Sequence, residues 1–155
     1  MQTYWKKMLT LAKEWAQEAG EELLQKAEGP LQMTSKTSAI DLVTEMDVWT
    51  ENFLKENIQT HFPDHSIITE ESGEIIGSAP YEWVIDPIDG TVNYAKGIPF
   101  YGISIGIRYQ KDTVVGLVHA PKLRETYEAI KGEGAFLNGE KITVSTTDKL
   151  DRAVL

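Results

Sequence analysis

Three acidic groups in the sequence could act together in chemistry: Glu70-Glu71, Asp86 and Asp89. Asp86 and Asp89 lie in WVIDPIDGTVNY, which runs from an apolar stretch directly into a turn. Pro87 within this turn fixes φ and keeps Asp86 out of helical geometry. Two carboxylates held close together at low dielectric repel by several kcal/mol unless a cation lies between them. A hard divalent cation with oxygen ligands, such as Mg²⁺, fits this pattern.

The residues after the turn are suited to binding a phosphate group. Gly90 allows a tight turn, and Thr91-Val92-Asn93 can begin a helix. The backbone N–H groups of Gly90 and Thr91 would then face an anion, with support from the helix dipole. One strand–turn–helix segment could thus hold both a metal and the phosphate that the metal polarises, as in metal-assisted phosphate ester hydrolysis. The structural alternative is that Asp86 caps the turn and Asp89 caps the helix.

Two helices are predicted to precede this segment. Apolar residues recur every three or four positions over residues 1–28, which predicts one amphipathic helix that Gly29-Pro30 ends. Thr44 is predicted to cap a second helix, which has Asp47 in its first turn and ends at residues 61–64. The predicted buried face of the second helix consists of Met46, Trp49, Phe53 and Leu54.

The hydrophobic period changes after residue 65 to the alternation of β-strands. Short links between successive strands favour antiparallel pairing, and Asn138-Gly139 predicts a hairpin turn. Residues 102–109 alternate isoleucine with Gly102, Ser104 and Gly106, and this small-residue face suggests close packing by a helix or another chain. The predicted fold class is α+β, with two N-terminal helices packed on a mainly antiparallel sheet. The predicted strands are 67–69, 81–86, 102–109, 113–119, 124–131 and 141–145.

Composition argues against several classes of function. The chain has 155 residues, of which 15 are basic and 24 acidic, for a net charge of −9. This balance provides no overall field for nucleic acid, so no nucleic-acid partner is expected. No run approaches about 18 consecutive apolar residues, so no membrane partner is expected either. The sequence has no cysteine, which fits a reducing compartment, and a cytoplasmic location is predicted.

Four segments, in order along the chain, resemble the inositol monophosphatase family of magnesium-dependent, lithium-sensitive phosphatases. The segment WVIDPIDGTVNYAKGIPFYGISIG is similar to the first signature of this family. Residues 36–47, KTSAIDLVTEMD, resemble its lysine loop and its DLVT segment. Residues 68–73, ITEESG, and residues 132–139, GEGAFLNG, resemble its G-E-E-S stretch and its G-x-G-A-F-x-N-G hairpin. The resemblance implies a sugar-phosphatase-type fold.

The resemblance also implies roles for particular residues. Thr91, hydrogen-bonded to Asp47, would help Glu70 to orient and deprotonate a metal-bound water, which attacks phosphorus in line. Lys36 would lie on a loop that borders the metal site. The implied Mg²⁺ ligands are Glu70, Asp86, Asp89 and the carbonyl of Ile88. The implied phosphate and substrate contacts are Glu70, Ile88, Asp89, Gly90 and Thr91.

The resemblance covers only the N-terminal half of the family. The second half carries a W-D-x-A-x-G signature, whose aspartate completes the second metal site, and this sequence has no such segment. Residues 151–155 also resemble the opening of a new strand, at which the sequence stops. We therefore expect residues 1–155 to be the N-terminal metal- and phosphate-binding domain of a longer two-part phosphatase. Alone, this domain is expected to have little or no phosphatase activity.

The implied substrate is inositol monophosphate or a similar small polyol phosphate, and the implied full-length assembly is a homodimer. Alternatives within the superfamily are phosphatases for NADP, fructose bisphosphate or adenosine bisphosphate. Val92-Asn93-Tyr94 after the GT pair favours the inositol monophosphatase branch over the adenosine bisphosphate branch. An alternative of a different class is a non-catalytic interaction protein that retains the fold.

Overall fold

The structure, a computed structural model, describes residues 1–27, 33–35 and 42–152. The described residues form three α-helices, a two-stranded sheet and an eight-stranded, mainly antiparallel sheet. This architecture confirms the predicted α+β class. Lys36 lies outside the described residues, as do the predicted helix stop Gly29-Pro30 and residues 153–155. The strand predicted to open at residues 151–155 is wrong for Asp151 and Arg152, because these two residues belong to a short 3₁₀ helix, Leu150–Arg152.

Helix α1 (Gln2–Lys26) follows the predicted amphipathic pattern. It packs chiefly on strand β7 (Asp112–Ala120), and its apolar stripe enters the core between the helices and the large sheet. None of the described helices is long and apolar enough to cross a membrane. The buried residues of α1 are Trp5, Met8, Ala12, Trp15, Ala16, Ala19, Gly20 and Leu23.

Helix α2 (Glu45–His61) begins and ends where the sequence predicts, but its buried face differs. Trp49 is 38% exposed and stacks on Phe53, with ring centroids 5.3 Å apart. The prediction that Trp49 lies in the core is therefore wrong. The positions facing the sheet include three polar residues that apolar periodicity could not identify, Asp47, Thr50 and Glu51. The hydrogen bonds of the two carboxylates offset the cost of their burial.

The large sheet has the strand order β10-β9-β8-β7-β6-β5-β3-β4. The hairpin predicted at Asn138-Gly139 joins β9 to β10. The strand predicted at 141–145 is present only as β10, which ends at Ile142, and neither β9 nor β4 is among the predicted strands. The small antiparallel sheet pairs β1 (Met33–Ser35) with β2 (Leu42–Thr44). The remaining strands are β3 (Ser66–Thr69), β4 (Gly73–Ile75), β5 (Tyr81–Asp89), β6 (Gly102–Tyr109), β8 (Glu125–Ile130), β9 (Gly134–Leu137) and β10 (Glu140–Ile142).

One strand pair departs from the predicted antiparallel meander. Strands β3 and β5 pair in parallel, with Thr69 opposite Ile85. The reason is topological: β4 folds back on the outer edge of β3, and the chain then returns to the other side of β3 as β5. Both strands therefore run in the same direction, and their carboxyl ends lie side by side.

The two faces of β6 have different surroundings. Ile103, Ile105 and Ile107 are buried in the core that contains the α1 stripe. The opposite face, with Ser104 and Gly106, lines a groove of about 340 Å³. Within the described part of the chain, the helices thus pack on the isoleucine face rather than on the small-residue face.

His65 joins α1 to the sheet through a buried aromatic cluster. The indole N–H of Trp83 donates to His65 Nδ1 at 3.0 Å, so this nitrogen carries no proton. The other ring nitrogen, Nε2, therefore donates to the hydroxyl oxygen of Tyr4 at 3.2 Å. Burial lowers the pKa of His65, although the charge of Asp64 acts in the opposite direction. If Nδ1 were protonated, two N–H donors would face each other and the hydrogen bond from the Trp83 indole would be lost.

This arrangement predicts an acid-sensitive contribution to stability. Because the pKa of His65 is lower in the folded chain, the unfolded chain binds the additional proton, and stability falls as pH drops below about 6.5. Replacing His65 with asparagine keeps an acceptor for Trp83 but removes the titration. We expect the free energy of unfolding of the wild type, relative to His65→Asn, to fall by up to ~1.4 kcal/mol per pH unit. Urea denaturation at several pH values measures this difference, and a pH-independent difference would contradict the assignment.

Candidate active site

The parallel pairing of β3 and β5 brings together the first two predicted acidic groups. Glu70 follows the last residue of β3, and Asp86 follows Ile85, the partner of that residue in β5. The side chains of Glu70 and Asp86 are hydrogen-bonded to each other, and the negative charges of Glu70 and Asp89 both act on Asp86. Three of the predicted metal ligands are thus electrostatically coupled at one end of the sheet.

Asp86 has the electrostatic surroundings of a group that needs a cation. Burial above all, together with the charges of Glu70 and Asp89 and the hydrogen bond with Glu70, raises its pKa to about 7. A hydrogen bond from the Ile88 N–H acts in the opposite direction. The second oxygen, Oδ1, is buried and has no hydrogen-bond partner among the described residues. The raised pKa of Asp86 reflects a site where additional negative charge is unfavourable and where a cation would neutralise both carboxylates.

The described acidic side chains do not form a complete metal-binding site by themselves. Among residues 1–27, 33–35 and 42–152, no group of three or more His, Asp and Glu side chains is close enough to hold a metal ion by itself. Asp89 is exposed at the rim, whereas Asp86 is partly buried. The donor set nevertheless fits a hard divalent cation, because its chemistry is carboxylate and carbonyl oxygen and one buried oxygen lacks a partner.

The turn between β5 and the short helix α3 (Thr91–Ala95) fixes the direction of these side chains. The register of β5 with β6 shifts between Asp86 and Asp89, an irregularity that re-aims side chains. Gly90 has φ +90, and a Cβ there would lie 3.0 Å from the carbonyl oxygen of Phe100. The structural alternative holds only in part: Asp86 accepts from the Ile88 N–H, but both residues lie in the irregular end of β5, and α3 has Gly90 as its N-cap and no side-chain cap.

The predicted hydrogen bond between Thr91 and Asp47 is present. The Thr91 hydroxyl lies 2.8 Å from Asp47 Oδ1 and 3.0 Å from the carbonyl oxygen of Ile88. Asp47 is only 1% exposed, and its Oδ2 accepts from the backbone N–H and the hydroxyl of Thr44 at 2.8 and 2.6 Å. The capping box of α2 therefore holds the carboxylate that orients Thr91.

Sequence reasoning missed Glu51, a second buried carboxylate on α2. It is 2% exposed and accepts from the Glu71 N–H, beside the candidate metal ligands. Burial alone would raise its pKa, but hydrogen bonds from Ser72, Lys55 and the Glu71 N–H, together with the charge of Lys55, lower it. The only sequence signal was a Glu–Lys pair four residues apart on a predicted helix, a pattern that is usually a solvated surface pair.

The fold and the site together define a protein of the phosphatase-fold class. A model of the inositol monophosphatase family matches residues 5–155. The chain therefore belongs to the inositol monophosphatase family.

Curated relatives in this family carry two kinds of name. Nus factor SuhB of Salmonella typhimurium (strain LT2) is 39% identical over 150 residues, which are 96% of this chain and 56% of the relative. The fructose-1,6-bisphosphatase/inositol-1-monophosphatase of Thermotoga maritima is 41% identical over 119 residues, which are 77% of this chain and 46% of the relative. The chain thus spans about half the length of these curated relatives.

Solved structures share the fold over most of the chain. The extragenic suppressor protein SuhB of Bartonella henselae has a TM-score of 0.86 and 32% identity, over 91% of this chain and 55% of that protein. An IMPase/NADP phosphatase in complex with Mg²⁺ and phosphate has a TM-score of 0.80 and 29% identity, over 88% and 52%. A staphylococcal inositol monophosphatase in a lithium-soaked inhibitory complex has a TM-score of 0.85 and 28% identity, over 94% and 55%.

The capping geometry around Asp47 predicts a stability effect that requires no ligand. In Asp47→Asn, an amide N–H₂ either opposes the Thr44 N–H or makes the Thr91 hydroxyl an acceptor, and in both orientations the charge-assisted hydrogen bonds of the carboxylate are replaced by weaker neutral ones. We expect the free energy of unfolding to fall by ~1–3 kcal/mol. Thr91→Ser is the matched control, since it keeps the hydroxyl and the bond to Asp47. Urea denaturation followed by tryptophan fluorescence tests this, and an Asp47→Asn variant as stable as the wild type would contradict the geometry.

Proposed function

We propose that the full-length protein carrying this chain is a Mg²⁺-dependent phosphomonoesterase. The observation that carries the proposal is the meeting of the Glu70–Asp86 carboxylate pair with Asp89 at one end of the sheet. The oriented Thr91 hydroxyl adjoins the same turn, through its contact with the Ile88 carbonyl. The relative solved with Mg²⁺ and phosphate supports a divalent metal as the cofactor.

The ligands proposed for Mg²⁺ are Glu70, Asp86, Asp89 and the carbonyl oxygen of Ile88. Bound there, Mg²⁺ would neutralise the phosphate and lower the pKa of the water that attacks it. Since the Thr91 hydroxyl donates its proton to Asp47, its oxygen is left to accept a hydrogen bond from that water. Glu70 is the proposed second acceptor and takes the proton. The N–H groups of Gly90 and Thr91 are proposed to hold the phosphate oxygens, together with contacts from Ile88 and Asp89.

The proposed substrate is inositol monophosphate or a similar small polyol phosphate. The Thermotoga relative is named for both fructose bisphosphate and inositol monophosphate, and another relative is named for NADP, so these phosphates are the competing substrates. Residues 1–155 are proposed to form the N-terminal metal- and phosphate-binding domain of a two-part enzyme. The full-length protein is proposed to be a cytoplasmic homodimer that binds neither nucleic acid nor membrane. Lys36 is proposed to border the metal site.

The family also supports a second candidate function, in which the protein acts without catalysis. Several curated relatives, among them the Salmonella relative, are named Nus factor SuhB. This name does not describe an enzyme activity. A full-length protein that binds Mg²⁺ but hydrolyses none of the phosphate esters tested would favour this candidate.

Removing the metal or its central ligand should abolish activity. We expect the full-length protein to release phosphate from inositol monophosphate with Mg²⁺, to lose this activity in excess chelator, and to be inhibited by Li⁺. Asp86→Asn should reduce kcat/KM by at least ~10²-fold. Asp112→Asn, at an exposed carboxylate paired with Lys131, is the matched control and should retain activity. Full activity in excess chelator would overturn the proposal.

The same assay with fructose 1,6-bisphosphate, NADP and adenosine bisphosphate ranks the competing substrates.

The proposed role of the Thr91–Asp47 pair is separable from metal binding. Thr91→Ala and Asp47→Asn should each reduce kcat of the full-length protein by on the order of 10²-fold. Neither residue is a proposed metal ligand, so Mg²⁺ affinity measured by calorimetry should change little. Thr91→Ser keeps the hydroxyl and should retain most of the activity. If both variants turned over at the wild-type rate, the pair would have no part in the mechanism.

A further inference from the structure

We propose that Glu51 and Lys55 on α2 are positioning residues that hold Glu70 in place for metal and water. This inference rests on the proposed function, because it concerns the same site. Neither residue is a proposed metal ligand, and both act through the turn that follows β3.

The turn that carries Glu70 is attached to α2 by a set of directed contacts. Glu51 Oε2 accepts from the Glu71 N–H at 2.9 Å, and Lys55 Nζ donates to Glu51 Oε1 at 3.1 Å. Lys55 Nζ also donates to the Ser72 hydroxyl oxygen at 2.7 Å, and that hydroxyl in turn donates to Glu51. The two residues that follow Glu70 are therefore both hydrogen-bonded to the same helix.

The contact with the Glu71 N–H bears directly on Glu70. This N–H belongs to the peptide unit that joins Glu70 to Glu71, so Glu51 fixes the plane of that unit and with it the ψ angle of Glu70. Glu70 itself is exposed and lies in a turn, where packing alone provides little constraint. The hydrogen bond between the Glu71 N–H and Glu51 provides a constraint from α2 at this position.

Stability alone does not account for the Glu51–Lys55 pair. The carboxylate of Glu51 is 2% exposed and the Lys55 side chain 15%. Ion pairs buried to this degree contribute little net stability, and apolar residues of similar size often replace them without loss. Their directed contacts fix geometry, which an apolar residue cannot do.

The position of Glu51 on α2 links it to the Thr91 side of the site. Asp47, Glu51 and Lys55 are successive i,i+4 positions, so they lie along one face of the helix at intervals of about 6 Å. Asp47 holds Thr91, and Glu51 holds the Glu70–Glu71 peptide unit. One rigid helix therefore sets the distance between the two residues proposed to act on the attacking water.

The test compares four variants of the full-length protein: Glu51→Leu, Glu51→Gln, Ser72→Ala and the control Glu56→Leu. Glu51→Leu fills the volume but removes the acceptor, whereas Glu51→Gln retains an oxygen for the Glu71 N–H. Ser72→Ala deletes only an exposed hydroxyl, so it stays informative if Glu51→Leu fails to fold. Glu56 is an exposed glutamate on the same helix.

Three readouts are measured: Mg²⁺ affinity by calorimetry, hydrogen exchange of the Glu71 amide in metal-free protein, and kcat with KM. We expect Glu51→Leu to lose at least ~10-fold in Mg²⁺ affinity and in kcat, with faster exchange at Glu71. KM, which reports substrate contacts elsewhere, should change less. Glu51→Gln should recover only part of each loss, because its N–H₂ group cannot accept from Lys55, and Ser72→Ala should show a loss of about two- to threefold. Glu56→Leu should match the wild type.

The outcomes separate this inference from the proposed function. If Glu51→Leu or Ser72→Ala exchanges faster at Glu71 yet matches Glu56→Leu in Mg²⁺ affinity and kcat, the positioning role is wrong and the phosphatase proposal stands. If the wild type hydrolyses no phosphate ester but Glu51→Leu still loses Mg²⁺ affinity and Glu51→Gln restores part of it, the catalytic proposal fails and the positioning role stands. If the wild type does not bind Mg²⁺, both are overturned.

Discussion

The repulsion between carboxylates at the point where the parallel pairing of β3 and β5 ends is the constraint on which the site depends. Glu70 and Asp86 are neighbours because β3 and β5 run in the same direction, and the partial burial of Asp86 reduces the screening of its charge by water. Burial and this repulsion raise the pKa of Asp86, and its Oδ1 is buried with no hydrogen-bond partner among the described residues. A site organised in this way favours any ligand that brings positive charge and several coordination positions.

Helix α2 is the element that makes this arrangement rigid. Its first turn is closed by the reciprocal hydrogen bonds of Thr44 and Asp47, and the same carboxylate orients the Thr91 hydroxyl. One turn later, Glu51 contacts the peptide unit after Glu70. The buried face of α2 therefore combines Asp47, Thr50 and Glu51 with apolar residues such as Leu54 and Ile58, and Trp49 is left outside. Polar residues within a buried helix face are typical of an element that serves a site as well as the core.

Membership of the inositol monophosphatase family accounts for the fold but leaves two kinds of function within it. Relatives of similar identity are named for phosphatase activity and for a Nus factor. A shared fold does not decide between them, because function depends on the site. In this chain the carboxylate pair, the oriented hydroxyl and the turn with positive φ at Gly90 are the observations on which the phosphatase proposal rests.

The sequence by itself determined the features that depend on local interactions. The period of residues 1–28, the Thr44 cap, the turn at Gly90 and the hairpin at Asn138-Gly139 all follow from short-range geometry, whereas Pro87, predicted in a turn, lies in the irregular end of β5. The motifs in these segments made the family recognisable. Only the tertiary structure decided the parallel pairing of β3 with β5, because the intervening β4 turns back on the outer edge and leaves no mark in the periodicity. The tertiary structure also decided which face of α2 is buried and that Glu51 lies on this face. Apolar patterning treats a charged residue as exposed, whereas hydrogen bonds from distant segments offset the cost of burying it.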